Sequence, residues 1–525
     1  MKIERTKNAS RNIIFGGVLK IYQILIPFLM RTAMIYFMGV QYLGLNSLFT
    51  SILQVLNLAE LGVGSAMVYS MYKPIAEDDE ITICALLKMY KKYYNIIGLV
   101  IAIVGIIVTP FVPQLIKSDL PAELNIYILY LMNLVTSVTL LVISITVLSY
   151  WLFAYKNSLL QAHQRIDITS RVTLVTNTVQ YALQLLVLIM LKDYYIYVIV
   201  NLMTQALTNV ITAYVASKMY PNYKASGRLP KKMIKDINHR IRDLFTSKIG
   251  AVIVNSADTI VISAFLGLTV LAVYQNYYFI LTAVIGIVAI VFQSCTAGIG
   301  NSIIVESMEK NFNDLRKFTF IINWISGICV TCFLCLFQPF MKIWVGEKLL
   351  LDFSAVICFC IYYFIYEINQ LLNTYKDAAG IWHEDRFRPL VTALVNLGLN
   401  VILVQFIGIY GVILSTVISM IVVGMPWLLH NLFTVLFDKQ YLKPYIRQLI
   451  MGVLVTIVGC VITYEIIKMI HIPLLATLIV RAFICCIIPN ILYFVVFRKK
   501  QEFKESVELI DKMTKHKLKI LSKFY

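Results

Sequence analysis

The sequence predicts an all-α polytopic membrane protein of about fourteen transmembrane helices. Two six-helix lobes in a pseudo-twofold arrangement are followed by two extra C-terminal helices. Three observations lead there. Of 525 residues, 59% are hydrophobic and only 14% charged, against about a quarter charged in soluble domains, and the mean hydropathy is +0.79. Apolar runs of about 20 residues, the length that crosses a bilayer, recur along the whole chain. The cations alternate from loop to loop. These properties exclude a soluble enzyme, a nucleic-acid binder and a disordered scaffold.

The predicted spans are 12–39, 41–69, 93–113, 124–153, 169–191, 194–217, 249–266, 273–299, 318–340, 353–375, 389–407, 410–436, 446–467 and 474–497. The first is no cleaved signal, because Lys20 and Pro27 interrupt it and no small-residue cleavage site follows. The second, fifth and sixth carry Asn46, Gln54, Asn57, Thr173, Asn177, Gln180, Asn201, Gln205 and Asn209. Spans this polar belong around a wet interior. With the N-terminus inside, the outside loops hold only Lys117, Lys192, Lys342, Lys348 and Lys468 of the 46 Lys and Arg residues. By the positive-inside rule both termini are cytoplasmic. The net charge of +18 then reads as topology and as attraction to anionic inner-leaflet lipid, not to nucleic acid. In segments 218–248 and 498–525, apolar residues on one helical face among many cations predict basic amphipathic helices on the inner leaflet.

An internal repeat organises the domains. Phe37-Met-Gly39 follows the first span and Phe265-Leu-Gly267 the seventh; Leu61-Gly-Val-Gly-Ser65 ends the second and Ala297-Gly-Ile-Gly-Asn301 the eighth. Six spans per half give parallel repeats related by an axis along the membrane normal. The expected domains are an N-terminal lobe at 1–217, a cytoplasmic linker at 218–248, a C-terminal lobe at 249–436, two further spans within 437–497 and a tail at 498–525. Two such lobes imply a transporter with its substrate between them and access by rocking.

The stretches Tyr42–Gly62, Met71–Glu77 and Ala257–Leu268 resemble Wzx-type oligosaccharide-lipid flippases of the multidrug/oligosaccharidyl-lipid/polysaccharide exporter superfamily. The resemblance implies a 6+6 core with two added spans in a bacterial plasma membrane. It also implies a substrate, an undecaprenyl-diphosphate-linked oligosaccharide turned from the inner to the outer leaflet by alternating access. Polysaccharide polymerase and glycosyltransferases would be its partners.

Charges inside the bundle are the candidate site residues, since each costs about 2.5–3.5 kcal/mol at mid-bilayer. Lys20 and Arg31, eleven residues apart, share one face of the first helix about 16 Å apart. Such a stripe suits a diphosphate. Arg171 and Lys248 stand at cytoplasmic mouths as attractors or as topology anchors. Asp258 nearly matches Arg31 in repeat register and is expected to face it across the lobe interface. Glu60 and Glu367 are candidates for proton or Na⁺ coupling. Glu465 and Arg481 are expected to pair and staple the last hairpin. Cys329-x-x-Cys332-x-x-Cys335 reads as apolar packing and His383-Glu384-Asp385 as a short inner loop, so no metal or cofactor is expected. The chain is expected not to be an enzyme. The alternatives are a multidrug/cation antiporter of the same superfamily, or a membrane glycosyltransferase or polymerase. Against the latter stand the short outside loops.

Overall fold

The computed structural model describes residues 5–57, 62–117, 120–121, 123–137, 154–469 and 474–513. Every regular element among them is helical. Two compact units divide the chain, Met1–Ala272 and Val273–Tyr525.

The first unit contains α1 (Arg5–Phe37), α2 (Val40–Leu56), α3 (Val63–Ala76), α4 (Glu80–Val108), α5 (Ile126–Ser137), α6 (Asn157–Ala162), α7 (Ile166–Leu186), α8 (Tyr194–Met219) and α9 (Lys231–Leu266). Here α1 packs on α7 and α2, α7 on α8, and α9 on α2 and α3. Local chemistry sets the starts. Asp79 caps α4 by accepting from the Thr82 N–H at 3.0 Å and its hydroxyl at 2.6 Å. These bonds hold its carboxyl below the ordinary value. Asp193 caps α8 by accepting from the Ile196 N–H at 3.1 Å.

The second unit takes most of α10 (Leu268–Val305), then α11 (Met308–Val345), α12 (Phe353–Ala378), α13 (Arg388–Ile407), α14 (Ile409–Ser419), α15 (Met425–Val435), α16 (Leu442–Lys468), α17 (Leu474–Phe497) and α18 (Gln501–Met513). At its centre, α11 packs on α12, α16, α17 and α18. A π-helical turn at Met420–Gly424 joins α14 to α15, ending two residues before Pro426. Proline lacks the N–H that would continue the α-helical ladder there.

Twelve helices among the described residues are long and apolar enough to cross a membrane, and they coincide with twelve of the fourteen predicted spans. The predicted second span is instead broken. Gly62 separates α2 from α3 at φ +91°, and an added Cβ there would lie 2.9 Å from the Ile241 carbonyl oxygen of α9. The crossing of α9 leaves no room for a side chain at Gly62. Of the predicted fourth span, Ile126–Ser137 is helical, and 138–153 lies outside the described residues.

One repeat motif has a structural counterpart in each half and the other does not. Gly39 and Gly267 both adopt positive φ, +119° and +92°, and each ends a membrane-length helix one residue before the next begins. Gly62 breaks its helix, whereas Gly298 lies inside uninterrupted α10 with open space around it.

Part of the apolar face of each amphipathic segment packs on protein. Lys231–Leu266 runs as one helix through the boundary expected between linker and span. Its Ile237 is buried in a core with Tyr90, Leu160 and Tyr220. In the tail, Phe503 and Val507 pack on Phe320, Tyr493 and Phe497, and Glu502 pairs with Arg316. Burial against neighbouring helix feet gives those side chains a closer-packed partner than headgroups would.

Candidate functional site

Helix α1 presents two different sides. Toward α7, the Arg171 guanidinium stands 3.9 Å over the Phe15 ring, and the hydroxyls of Tyr22 and Thr178 are 3.0 Å apart. Lys20 and Arg31 fall on the other side, roughly 160–180° round from Tyr22. Lys20 is exposed and Arg31 half-buried. Arg31 lies within electrostatic range of the Tyr197 hydroxyl on α8.

The other expected site residues are distributed as follows. Arg171 is 3.9 Å from Asp167, in addition to its Phe15 contact. Lys248 donates to Ser65 Oγ at 3.1 Å, beside the Gly62 break. Asp258 is buried on α9, near Ser256, whose hydroxyl donates to Gln54 at 3.4 Å. Helix α9 belongs to the same compact unit as α1, and α2 packs against both. Glu60 lies outside the described residues. Glu367, on α12, is 1% exposed, and its Oε1 has no hydrogen-bond partner among the described residues. Cys329, Tyr363 and Tyr366 are near it.

Glu465 and Arg481 do not pair. Glu465 is exposed, and Arg481 donates to the Cys335 main-chain carbonyl at 3.4 Å. The α11 backbone lies closer to the guanidinium than the Glu465 carboxylate does.

Two buried polar assemblies escaped the sequence reading. At the head of α7, fully buried Asp167 accepts from Arg165 at 2.9 and 3.2 Å, and its N–H donates to Asn12 of α1 at 2.8 Å. At the head of α13, Asp385 (2% exposed) accepts from Arg388 at 2.6 and 2.8 Å and from Asn431 at 3.2 Å, with Lys376 at 3.6 Å. Arg388 also donates to Asn373 at 2.7 Å. Deeper in each hairpin sits an amide pair at i, i+4. Gln180 donates to Gln184 and Asn201; Asn396 donates to Thr416, and Asn400 donates to Asn396 and accepts from Ser415. A sequence signal was present: Asp167/Arg171 and Asp385/Arg388 open the fifth span of each half, and each is followed by the amide pair.

Near the first assembly, His163 is stacked on Tyr220, centroids 4.2 Å apart. Burial lowers its pKa from the ordinary 6.5.

The family model described as "Polysaccharide biosynthesis protein" matches residues 9–297. Among curated proteins, none matches the sequence. Among solved structures, "Lipid II flippase MurJ, inward closed conformation" aligns with TM-score 0.68 at 14% identity, over 93% of this chain and 99% of that one. An inward-facing multidrug resistance MATE family transporter of the MOP superfamily aligns with TM-score 0.58 at 14% identity, over 81% and 99%. A MATE in complex with MaL6 aligns with TM-score 0.51 at 16% identity, over 83% and 97%. At such identities the likeness is one of fold.

Proposed function

Because the chain belongs to the polysaccharide biosynthesis protein family, we propose that it flips an undecaprenyl-diphosphate-linked oligosaccharide. The movement runs from the inner to the outer leaflet of a bacterial plasma membrane, with both termini cytoplasmic. The observation that carries the reading is α1, a membrane-length helix with exposed Lys20 and half-buried Arg31 on one side. Two fixed cations inside an apolar span are costly, and a passing diphosphate offsets that cost by charge-assisted hydrogen bonds. Arg31 supplies a fork for phosphate oxygens and Lys20 a point charge. Lys248 and Arg171 add positive potential that draws the headgroup in. Flux is coupled to a proton or Na⁺ through Glu367, with Asp258 and Glu60 as the other carboxylates. Glu367 is the strongest of the three because it is buried with an oxygen that has no hydrogen-bond partner among the described residues. Polymerase and glycosyltransferases act on the glycan before and after the step.

The MATE-like fold favours one other reading, export of an organic cation. Lys20 and Arg31 oppose it, since like charges repel such a substrate. Complementation separates the two. In cells lacking the native gene, Arg31→Ala and Lys20→Ala/Arg31→Ala are expected to lose surface polymer while the protein still reaches the membrane. Wild-type polymer levels from the double variant would end the flippase role of these residues.

A further inference from the structure

The geometry points to a second anion site, a groove on the N-terminal part of α9 that takes a phosphate-bearing ligand. This site does not depend on the transport reading. Lys231, Ile234, Lys235, Asn238, His239 and Arg242 line a concave surface there. With about 100° per residue, the four basic residues fall within roughly 80° of arc and extend over about 16 Å. The acids of the same segment, Asp236 and Asp243, lie beyond that arc. The apolar side of the helix is already taken, with Ile237 buried and Met233 and Ile241 packed against the same core. What remains outward is a set of donors.

Lys231, Lys235 and His239 make no hydrogen bond or ion pair among the described residues. Asn238 accepts from the Tyr93 hydroxyl at 2.6 Å, which engages its carbonyl oxygen and leaves its NH₂ to donate into the groove. Arg242 has one acidic neighbour, Asp243 at 3.6 Å with both side chains about 70% exposed, a contact too solvated to neutralise it. Arg240 points elsewhere, 4.6 Å over the Tyr69 ring. A lining of open donors whose amide oxygen is already engaged suits the ionised oxygens of a phosphate, which accept hydrogen bonds.

The helix continues into the apolar stretch that starts at Ile249. At about 1.5 Å per residue, Arg242 stands roughly 10 Å and Lys231 roughly 27 Å below it. The groove therefore reaches from headgroup depth into water, where either a lipid phosphate or a soluble diphosphate can meet it.

The test uses the full chain and two probes. Inorganic pyrophosphate is titrated into the detergent-purified protein by calorimetry. Retention of phosphatidylglycerol against phosphatidylcholine is measured by native mass spectrometry. Lys231→Gln/Lys235→Gln/Arg242→Gln is compared with Lys224→Gln/Arg228→Gln/Lys232→Gln, which loses equal charge at exposed positions outside the groove. The groove triple is expected to weaken binding by about tenfold or more in at least one arm, with the outside triple within about twofold of the parent. A pyrophosphate effect identifies a soluble source and a phosphatidylglycerol effect a lipid source. If the triple misfolds, Lys235→Gln alone carries the same comparison against Lys232→Gln. No binding in either arm, or equal losses in both variants, overturns the site.

Discussion

Asp385 and Arg388 allow a prediction in which two substitutions do less harm than one. Arg388→Met removes donors at 2.6 and 2.8 Å from Asp385 and one at 2.7 Å from Asn373. Asp385, 2% exposed, then keeps only Asn431 at 3.2 Å and Lys376 at 3.6 Å. Breaking a buried pair by removing one partner costs about 3–5 kcal/mol. The remaining Lys376 contact places this case at the low end, about 3 kcal/mol. For a unit of this size that is a fall in Tm of about 6 °C, followed by tryptophan fluorescence in detergent at one fixed scan rate. Asp385→Leu/Arg388→Met strands no carboxylate, and Lys376 retains Asp377 at 2.7 Å. The double variant is expected to regain about half of the loss, because an absent buried charge costs less than an orphaned one. A double variant that unfolds below Arg388→Met, or a single variant within about 1 °C of the parent, would refute the reasoning.

Four other variants can be checked, their stabilities on the same preparation and the export of the last in cells. Gly44→Ala would place a Cβ 2.2 Å from the Leu268 carbonyl oxygen, so it should lower stability by about 1–3 kcal/mol. Gly16→Ala, with nothing within 4 Å, should leave Tm equal or slightly higher. Burial holds the His163 pKa below its ordinary 6.5. Its stabilising effect is therefore complete above that value and lost as the pH falls below it, where the unfolded chain takes up the proton first. His163→Phe should flatten the acid side of a Tm-against-pH curve, and an unchanged curve counts against burial as the cause. Glu367→Gln breaks no ion pair and keeps the side chain's size, so thermal stability should change by no more than about 1 kcal/mol while export measured by surface polymer in cells falls. A large Tm loss would mean that Glu367 is a structural group.

Composition and apolar run length were enough to locate twelve of the spans because a lipid-crossing helix needs little beyond length and hydropathy. Those signals are blind to backbone crossings. Nothing in the run around Gly62 announces that the Ile241 carbonyl oxygen occupies the place of its Cβ. Amphipathic faces were legible at Ile237 and Phe503, but the pattern is the same whether the apolar side meets lipid or protein. At the candidate site, the shared face of Lys20 and Arg31 followed from helical arithmetic alone. The different exposures of the two did not, since those depend on which neighbours α1 acquires. His383-Glu384-Asp385 read as a short inner loop because the burial of Asp385 depends on Asn431, distant in sequence, as well as on nearby Arg388.

Arg481 donates to a main-chain oxygen, a group every residue type supplies. Position 335, buried beside Ile467 and Cys485, can therefore exchange among small apolar residues without costing the guanidinium its acceptor. Among relatives of this chain, changes at 481 should show no covariation with 335 or with 465. A contact map inferred from correlated substitutions would then leave out this one of the contacts between α17 and α11, while pairs such as Trp324 with Asn490 could still register.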